Sequence, residues 1–446
     1  MKVKFHESLE ALVSVVKAQG IPLDSGTVFL RDGVGRLTVA REVFPDSSHI
    51  SEKIKDKLGK YASIRPVVTG AVAKSLVKDS SVIEIYVNVD GDETRIRFVD
   101  RRFVGSDWMY APKLRAEGEV PRLAFYSLKG GVGRSTALSV LAADLAREGL
   151  KVLTIDLDIE APGIGFLLLE ASEDLSDDRR PKYGVLDYLV ENGINGVGDE
   201  ELYDFVGVKP FYEGSIHVVP VVGRVTDENP GTMMAKLSRA LIEDEGGGGP
   251  ISFTRQVQEM VDRFSKMDRY DAILIDARAG MADASAPSVL ALGADILFFG
   301  TDQPQTFRGY RYLFAHLLRC FGYKSEAFEN WRETISFVQA KAPSSSQQRV
   351  QFRERLHELC ADFLYDEESL GDDGYVEPAD FNFSIEDSGL GVPHDATYIS
   401  YVSDYSAFDP VGDKSKLDVD VYRGPFGPFL ERARQLLGLP ISEVRR

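Results

Sequence analysis

Cysteine is almost missing from this chain: Cys320 and Cys360 are the two in 446 residues, and no Cys-x-x-Cys pair occurs. Thiolate zinc sites and shared iron–sulfur clusters therefore have no obvious ligands, and the usage fits a reducing, cytoplasmic compartment. Long apolar runs are missing too. None reaches the roughly 18 residues that span a bilayer. The opening MKVKFHESLEAL has acids where a signal peptide needs an apolar stretch. Positive charge is scarce and unevenly placed. The whole chain has 52 Lys/Arg against 70 Asp/Glu, a net −18, but residues 1–120 hold 19 against 17. The remainder, with 33 against 53, carries −20. A body this acidic argues against non-specific nucleic-acid binding, which needs clustered Lys/Arg. From Leu356 to Asp413 there is no Lys or Arg at all, against 15 Asp/Glu. That stretch reads as a solvated acidic excursion, with two alternatives: a docking surface for a basic partner or nucleic-acid mimic, and a divalent-ion site.

What is present is enough apolar material, 43% of residues, for two or three domains. Residues 1–115 read as a small α+β domain. Phe5, Leu9, Leu12, Val13 and Val16 recur at helical spacing before Gly20 and Pro22. TVFL and LTVA flank a Gly-containing turn, 48–60 predicts an exposed charged helix, and residues 83–98 alternate around Asp90-Gly91 as a hairpin. Residues 108–119 read as a linker. From Arg122 onward, buried strands at 122–128, 151–156, 215–222, 271–276, 294–300 and 334–340 alternate with helical segments at 135–148, 232–243, 252–266, 306–321 and 347–364. That alternation predicts a parallel α/β sheet. Loops are expected at 170–182 and at Gly246–Pro250.

The first of these strands runs into Leu128-Lys129-Gly130-Gly131-Val132-Gly133-Arg134-Ser135-Thr136, and a helix follows at once. Glycines let backbone N–H groups turn inward around an anion, and the helix N-terminus adds its positive end. The Ser135 hydroxyl is placed for Mg²⁺, and a cation at 134 would reach terminal phosphates. The next strand ends in Asp156, Asp158 and Glu160. In open α/β sheets ligands sit beyond the C-terminal strand ends, so these carboxylates would face the phosphates. The apolar strand 271–276 delivers one more carboxylate, Asp276, the form in which a buried strand reaches a metal's outer shell.

Leu128 stands where common phosphate loops have their first Gly, Lys129 follows, and Arg134 replaces the usual Lys. With Asp156-Leu157-Asp158 and Asp276-Ala277-Arg278-Ala279-Gly280, this resembles the deviant Walker A loop and two switches of the MinD/ParA-type ATPases over about residues 121–345. The resemblance implies a doubly wound, mainly parallel α/β sheet of P-loop type over residues 121–440, behind the small N-terminal α+β domain. It implies ATP and Mg²⁺ as cofactors, with Gly130, Gly131, Val132, Gly133, Arg134, Ser135, Thr136 and Gly280 binding nucleotide and Ser135, Asp156 and Asp276 holding the metal. It further implies that Lys129 reaches the partner's nucleotide in an ATP-dependent homodimer, and that Asp158 orients the attacking water. Lys129, Asp158 and Arg134 are then the catalytic candidates. Arg278 has two readings, a γ-phosphate sensor or a structural salt bridge. Thr301–Gly309 is expected near the dimer interface, and Gln339–Ala342 and Val392–Asp395 near the purine.

Arg134 bears on turnover, because a planar fork and a compact ammonium are not interchangeable at a tight phosphate site. Slow hydrolysis is expected. Two functions follow: a dimerising ATP/Mg²⁺ switch that regulates or positions a partner, or a catalytically silent, nucleotide-stabilised scaffold of a bacterial regulatory or defence-type complex. Partner protein would dock on residues 1–115 or on the acidic 356–413 stretch. The segment 428–437 predicts a terminal helix packed on the sheet rather than a membrane anchor, with Arg432 and Arg434 among its polar positions. No guanine-recognition motif Asn/Thr-Lys-x-Asp occurs, which favours ATP.

Overall fold

The computed structural model describes residues 2–79, 81–102, 104–170, 178–246, 249–322, 326–366, 369–370, 376–377 and 381–440. The chain divides into two compact units, Met1–Met109 with His316–Gly322, and Tyr110–Ala315 with Tyr323–Arg446. Parts of two expected loops, 171–177 and 247–248, lie outside the described residues, as do 367–368, 371–375 and 378–380 of the acidic stretch.

In the first unit, helix α1 (Phe5–Ala18) buries Leu9, Leu12, Val13 and Val16, the apolar stripe read from its spacing. Strands β1 (Thr27–Arg31) and β2 (Leu37–Arg41) pair antiparallel around the Gly35 turn. Asp46 caps α2 (Ser47–Leu58) by accepting the His49 amide. Two elements depart from the sequence reading: β3 (Ala62–Val68) and α3 (Gly70–Val77). Pro66 hides β3 from a pattern search, since proline is tolerated on a strand only at an edge, and β3 is an edge. The hairpin of β4 (Ile83–Val89) and β5 (Asp92–Asp100) completes a five-stranded sheet in the order β3-β2-β1-β5-β4.

The second unit is built on β6 (Arg122–Ser127), β7 (Lys151–Asp156), β8 (Gly207–Phe211), β9 (Gly214–Val219), β10 (Ala272–Asp276), β11 (Asp295–Gly300), β12 (Ile335–Ala342) and β13 (Thr397–Ser400). Their order is β13-β12-β11-β6-β10-β7-β9-β8, parallel throughout except for the edge pair β8/β9. Side chains alternate across such a sheet, and here both faces are covered. Leu123, Phe125, Val152 and Leu274 pack with α4 (Arg134–Arg147) on one side, while Ala124, Leu153, Ile155 and Ile273 pack with α5 (Val185–Ile194) and α6 (Phe253–Lys266) on the other. This is the doubly wound sheet expected. α7 (Pro304–Phe321) and α8 (Ser346–Phe363) follow β11 and β12.

Several local expectations change. Residues 110–119 are pinned rather than free: Lys113 donates its amide to Leu290 O at 2.6 Å and its Nζ to Asp262 at 3.1 Å. Around the expected loop at Gly246–Pro250, residues 244–246 and 249–251 pair as an antiparallel hairpin. Within the acidic stretch, Asp366 pairs with Arg332 and Asp395 with Arg432, so part of its charge is balanced by bases from outside it. The terminal helix α9 runs from Val419 to Leu436, longer than read, and packs Phe429, Leu430 and Ala433 into the sheet core. Arg434, expected among the polar positions, is 2% exposed and bonded to Asp144 of α4. No helix among the described residues is long and apolar enough to cross a membrane.

Candidate functional site

Three neighbouring central strands of the second sheet run parallel, so their C-terminal ends lie together. β10 lies between β6 and β7, and its register places Asp276 directly beside Asp156. The loop after β6 therefore opens next to two carboxylates that lie 120 residues apart in the chain.

The loop is shaped by backbone rather than by space. Gly131 and Gly133 sit at φ +72° and +96°, which L side chains adopt only with strain, although a Cβ at either would meet nothing within 4 Å. Leu128, at the position of the usual first glycine, finds room because Gly309 of α7 faces it: a Cβ there would lie 2.6 Å from Leu128 Cδ1. Val132 is buried against the α4 side of the core, so it offers the loop only its backbone. Gly130 and Thr136 are the exposed and half-buried neighbours of this turn.

Arg134 opens α4 and is 6% exposed. Its guanidinium donates to the Ala277 carbonyl and, at 3.1 Å, to Asp158 Oδ2. Ser135 Oγ donates to Asp276 Oδ2 at 2.5 Å. Asp276 Oδ1 is buried with no hydrogen-bond partner among the described residues. An orphaned carboxylate oxygen beside a hydroxyl is a hard-oxygen pair of the kind that suits Mg²⁺. Asp156 is fully buried and accepts the amides of Asp158, Gly163 and Ile164, each at 3.0 Å, which folds the following turn back around the strand end.

Burial raises the protonation midpoints of Asp156, Asp276 and Asp158 above the usual carboxylate range. The neighbouring Asp276 charge pushes Asp156 further up, while Arg134 pulls Asp276 and Asp158 back down. Ionising these acids together is unfavourable for that reason, and a cation beside them would relieve the cost.

The other residues singled out from the sequence are placed as follows. Lys129 is exposed, with Nζ 3.5 Å from Gln303 Oε1. Gly280 is tied to β6 at both ends: its N–H donates to Ser127 O at 2.9 Å and its carbonyl accepts from Tyr126 OH at 2.8 Å. That N–H is engaged, not free. Arg278 forms an ion pair with Glu160. A cleft of about 460 Å³ lies beside the loop, lined by Lys129, Val132, Gly280, Gln305 and Tyr312 among others. His394 points elsewhere: it is fully buried, its Nδ1 bonded to Tyr365 OH. Two features escaped the sequence. The Arg134–Asp158 pair joins residues identified separately, and Lys341, within the segment 339–342 expected near the purine, instead donates its Nζ to Gly131 O of the phosphate loop at 2.8 Å.

Strand, glycine loop, helix and paired strand-end carboxylates together form a phosphate-binding cradle of P-loop type. A family model described as the AAA domain matches residues 121–165, the span from β6 through the Asp156 turn. The nitrogenase iron protein of Methanococcus voltae is 36% identical over 72 residues, 16% of this chain and 26% of that protein. The match thus spans about a quarter of that relative's length. Similar solved structures include the MinD cell division protein of Aquifex aeolicus, 16% identical, covering 72% of this chain and 100% of that one, with a TM-score of 0.40. A putative plasmid partition protein from Borrelia burgdorferi bound to AMPPNP is 16% identical over 71% of this chain and 99% of that one, TM-score 0.41. The McdA–ATP complex from Cyanothece is 13% identical over 73% and 99%, TM-score 0.43. The second unit thus joins a phosphate-type glycine loop to a doubly wound sheet, and these proteins are what it is similar to.

Proposed function

We propose that this chain binds ATP with Mg²⁺ at the loop 129–136 and works as a slow, dimerising switch ATPase that regulates or positions a partner protein. The observation that carries the reading is the convergence of Arg134, Ser135, Asp158 and Asp276 on one strand-end cradle beside inward-turning glycines. Backbone N–H groups from Gly130 to Thr136 would hold the phosphates, with the α4 N-terminus adding its dipole. Ser135 and the open oxygen of Asp276 would hold the metal, which when bound neutralises phosphate charge. Asp156 keeps the turn carrying Asp158 in place through its three accepted amides. Asp158 would orient the attacking water once Arg134 shifts from it to phosphate oxygens. Gly280 would exchange its Ser127 contact for the terminal phosphate, which makes it a sensor of that group. Lys129, at the surface beside Gln303, would reach the partner's nucleotide. Residues 1–115 or the acidic 356–413 stretch would receive the partner protein.

The alternative is the nucleotide-stabilised scaffold, in which occupancy matters and cleavage does not. It is favoured by one contact: Arg134 neutralises Asp158, the carboxylate that would orient water.

Solution mass by light scattering, with Mg²⁺ plus ATP, with ADP and without nucleotide, separates the two while phosphate release is followed in the same sample. The switch requires an ATP-only dimer that decays as phosphate appears and is lost in Lys129→Ala. Nucleotide binding with constant mass and no released phosphate would leave the scaffold.

A further inference from the structure

Resting on that nucleotide reading, we propose that Lys341 is a nucleotide-positioning residue. Held at the rim of the phosphate loop through the Gly131 carbonyl, its ammonium supplies a compact cation outside any ion pair, beside the broad Arg134 fork that must first leave Asp158.

Three independent observations converge on this residue. Lys341 Nζ lies 2.8 Å from Gly131 O at the glycine turn, while the side chain as a whole stays exposed. The contact links β12 to a loop 210 residues earlier. The second is backbone strain. Lys341 sits at φ +53°, one of four non-glycine residues in the left-handed region among the described residues, with Asp46, Asp90 and Tyr212. Aspartate tolerates that region; a lysine has no local hydrogen bond to offset its Cβ clash. The third is a break in the ladder. β12 pairs Val338 with Thr397 and Gln339 with Tyr398, then Ala342 with Ser400, so one extra residue is inserted just where Lys341 turns out. A bulge re-aims a side chain, and strained backbone next to a binding site persists only when something repays it.

The remaining cations of the cradle explain the need. Arg134 is buried and doubly bonded, and Lys129 touches Gln303 at 3.5 Å. Lys341, like Lys129, has a neutral carbonyl as its partner among the described residues, but Lys129 is the cation read as reaching across to the partner's nucleotide; Lys341 can transfer to a phosphate oxygen of its own loop without leaving an ion pair broken.

Strain and charge make opposite predictions for one substitution, which separates this role from a merely structural one. Lys341→Gly in the full chain removes the ammonium and also the Cβ penalty. Without nucleotide it is expected to melt about 2 °C higher than wild type. Its affinity for a fluorescent ATP analogue with Mg²⁺ should nonetheless fall roughly tenfold, the worth of one charge-assisted hydrogen bond. Lys341→Met, which keeps the backbone as it is, should show the same loss of affinity with an unchanged melting temperature, and Lys341→Arg should restore most of the binding. If both Gly and Met variants bind the analogue as tightly as wild type, Lys341 only props the loop and the inference is overturned. If wild type itself binds no ATP, the nucleotide reading fails first, and this inference with it.

Discussion

Arg134 occupies the position where a phosphate loop of this kind normally presents an ammonium, and its guanidinium is already satisfied by Asp158 and the Ala277 carbonyl. Two flat donors on two acceptors make a stable resting arrangement, and catalysis would have to undo it. Arg134→Lys, with one point charge in place of the fork, is expected to raise steady-state phosphate release by about tenfold. An unchanged rate would show that the Asp158 contact does not limit turnover. The carboxylates lead to a pH effect of definite sign. Asp156 and Asp276 are raised by burial in the folded protein, whereas unfolded aspartates ionise near about pH 4. Between those points the native state binds more protons than the unfolded chain. Their stabilising contribution is therefore full below about pH 4 and is lost as pH rises through the raised midpoints. Asp276→Asn keeps an acceptor for Ser135 and removes one of the two charges. Without nucleotide it should melt above wild type, by a margin that grows from about pH 5 to about pH 8. A margin that shrinks over that range would contradict burial as the cause.

At the scale of elements, the terminal helix is locked to the phosphate-loop helix by charge as well as by apolar contact. Arg434 Nη2 lies 2.6 Å from Asp144 Oδ2, Tyr422 OH donates to Asp144 Oδ1 at 2.9 Å, and Arg434 Nη1 reaches Glu148 at 2.8 Å. Removing one member of such a pair leaves the other buried and uncompensated. Arg434→Met is expected to cost about 3–5 kcal/mol in chemical denaturation, and pairing it with Asp144→Leu should recover much of that loss. A double variant no more stable than the single one would place the penalty in packing instead. The helix also shows where reading by element stops. Its apolar stripe and the Gly438 stop were legible, but Pro425 and Pro428 lie inside it, and prolines in a sequence signal a break. Pro66 in β3 and Pro210 in β8 conceal those edge strands in the same way, and β13 is only four residues long.

For the whole molecule, the two tryptophans divide between the units. Trp108 lies in the first and Trp331 in the second, and both are buried. A ligand that binds only folded protein raises the stability of the unit it occupies by mass action. In Trp108→Phe, where Trp331 is the sole reporter, ATP with Mg²⁺ should raise the fluorescence-detected unfolding midpoint progressively with concentration. In Trp331→Phe the midpoint reported by Trp108 should respond less. Equal shifts from both probes would show one cooperative block, and no shift from Trp331 would remove the nucleotide from the second unit.

The sequence by itself determined the alternation of buried strands and helices, the glycine turn and the carboxylates at the strand ends. Each of these is a local pattern: periodicity, a residue free to take positive φ, an acid where an apolar run stops. Only the tertiary structure decided how those parts meet. Asp276 stands beside Asp156 because β10 inserts between β6 and β7, and sheet order is not written in any local spacing. Arg134 turns to Asp158, Gly280 to Ser127, and Lys341 to Gly131 because parallel strands far apart in the chain end together. Which donor finds which acceptor there depends on register and on a single bulge, and both are set by packing over the entire sheet.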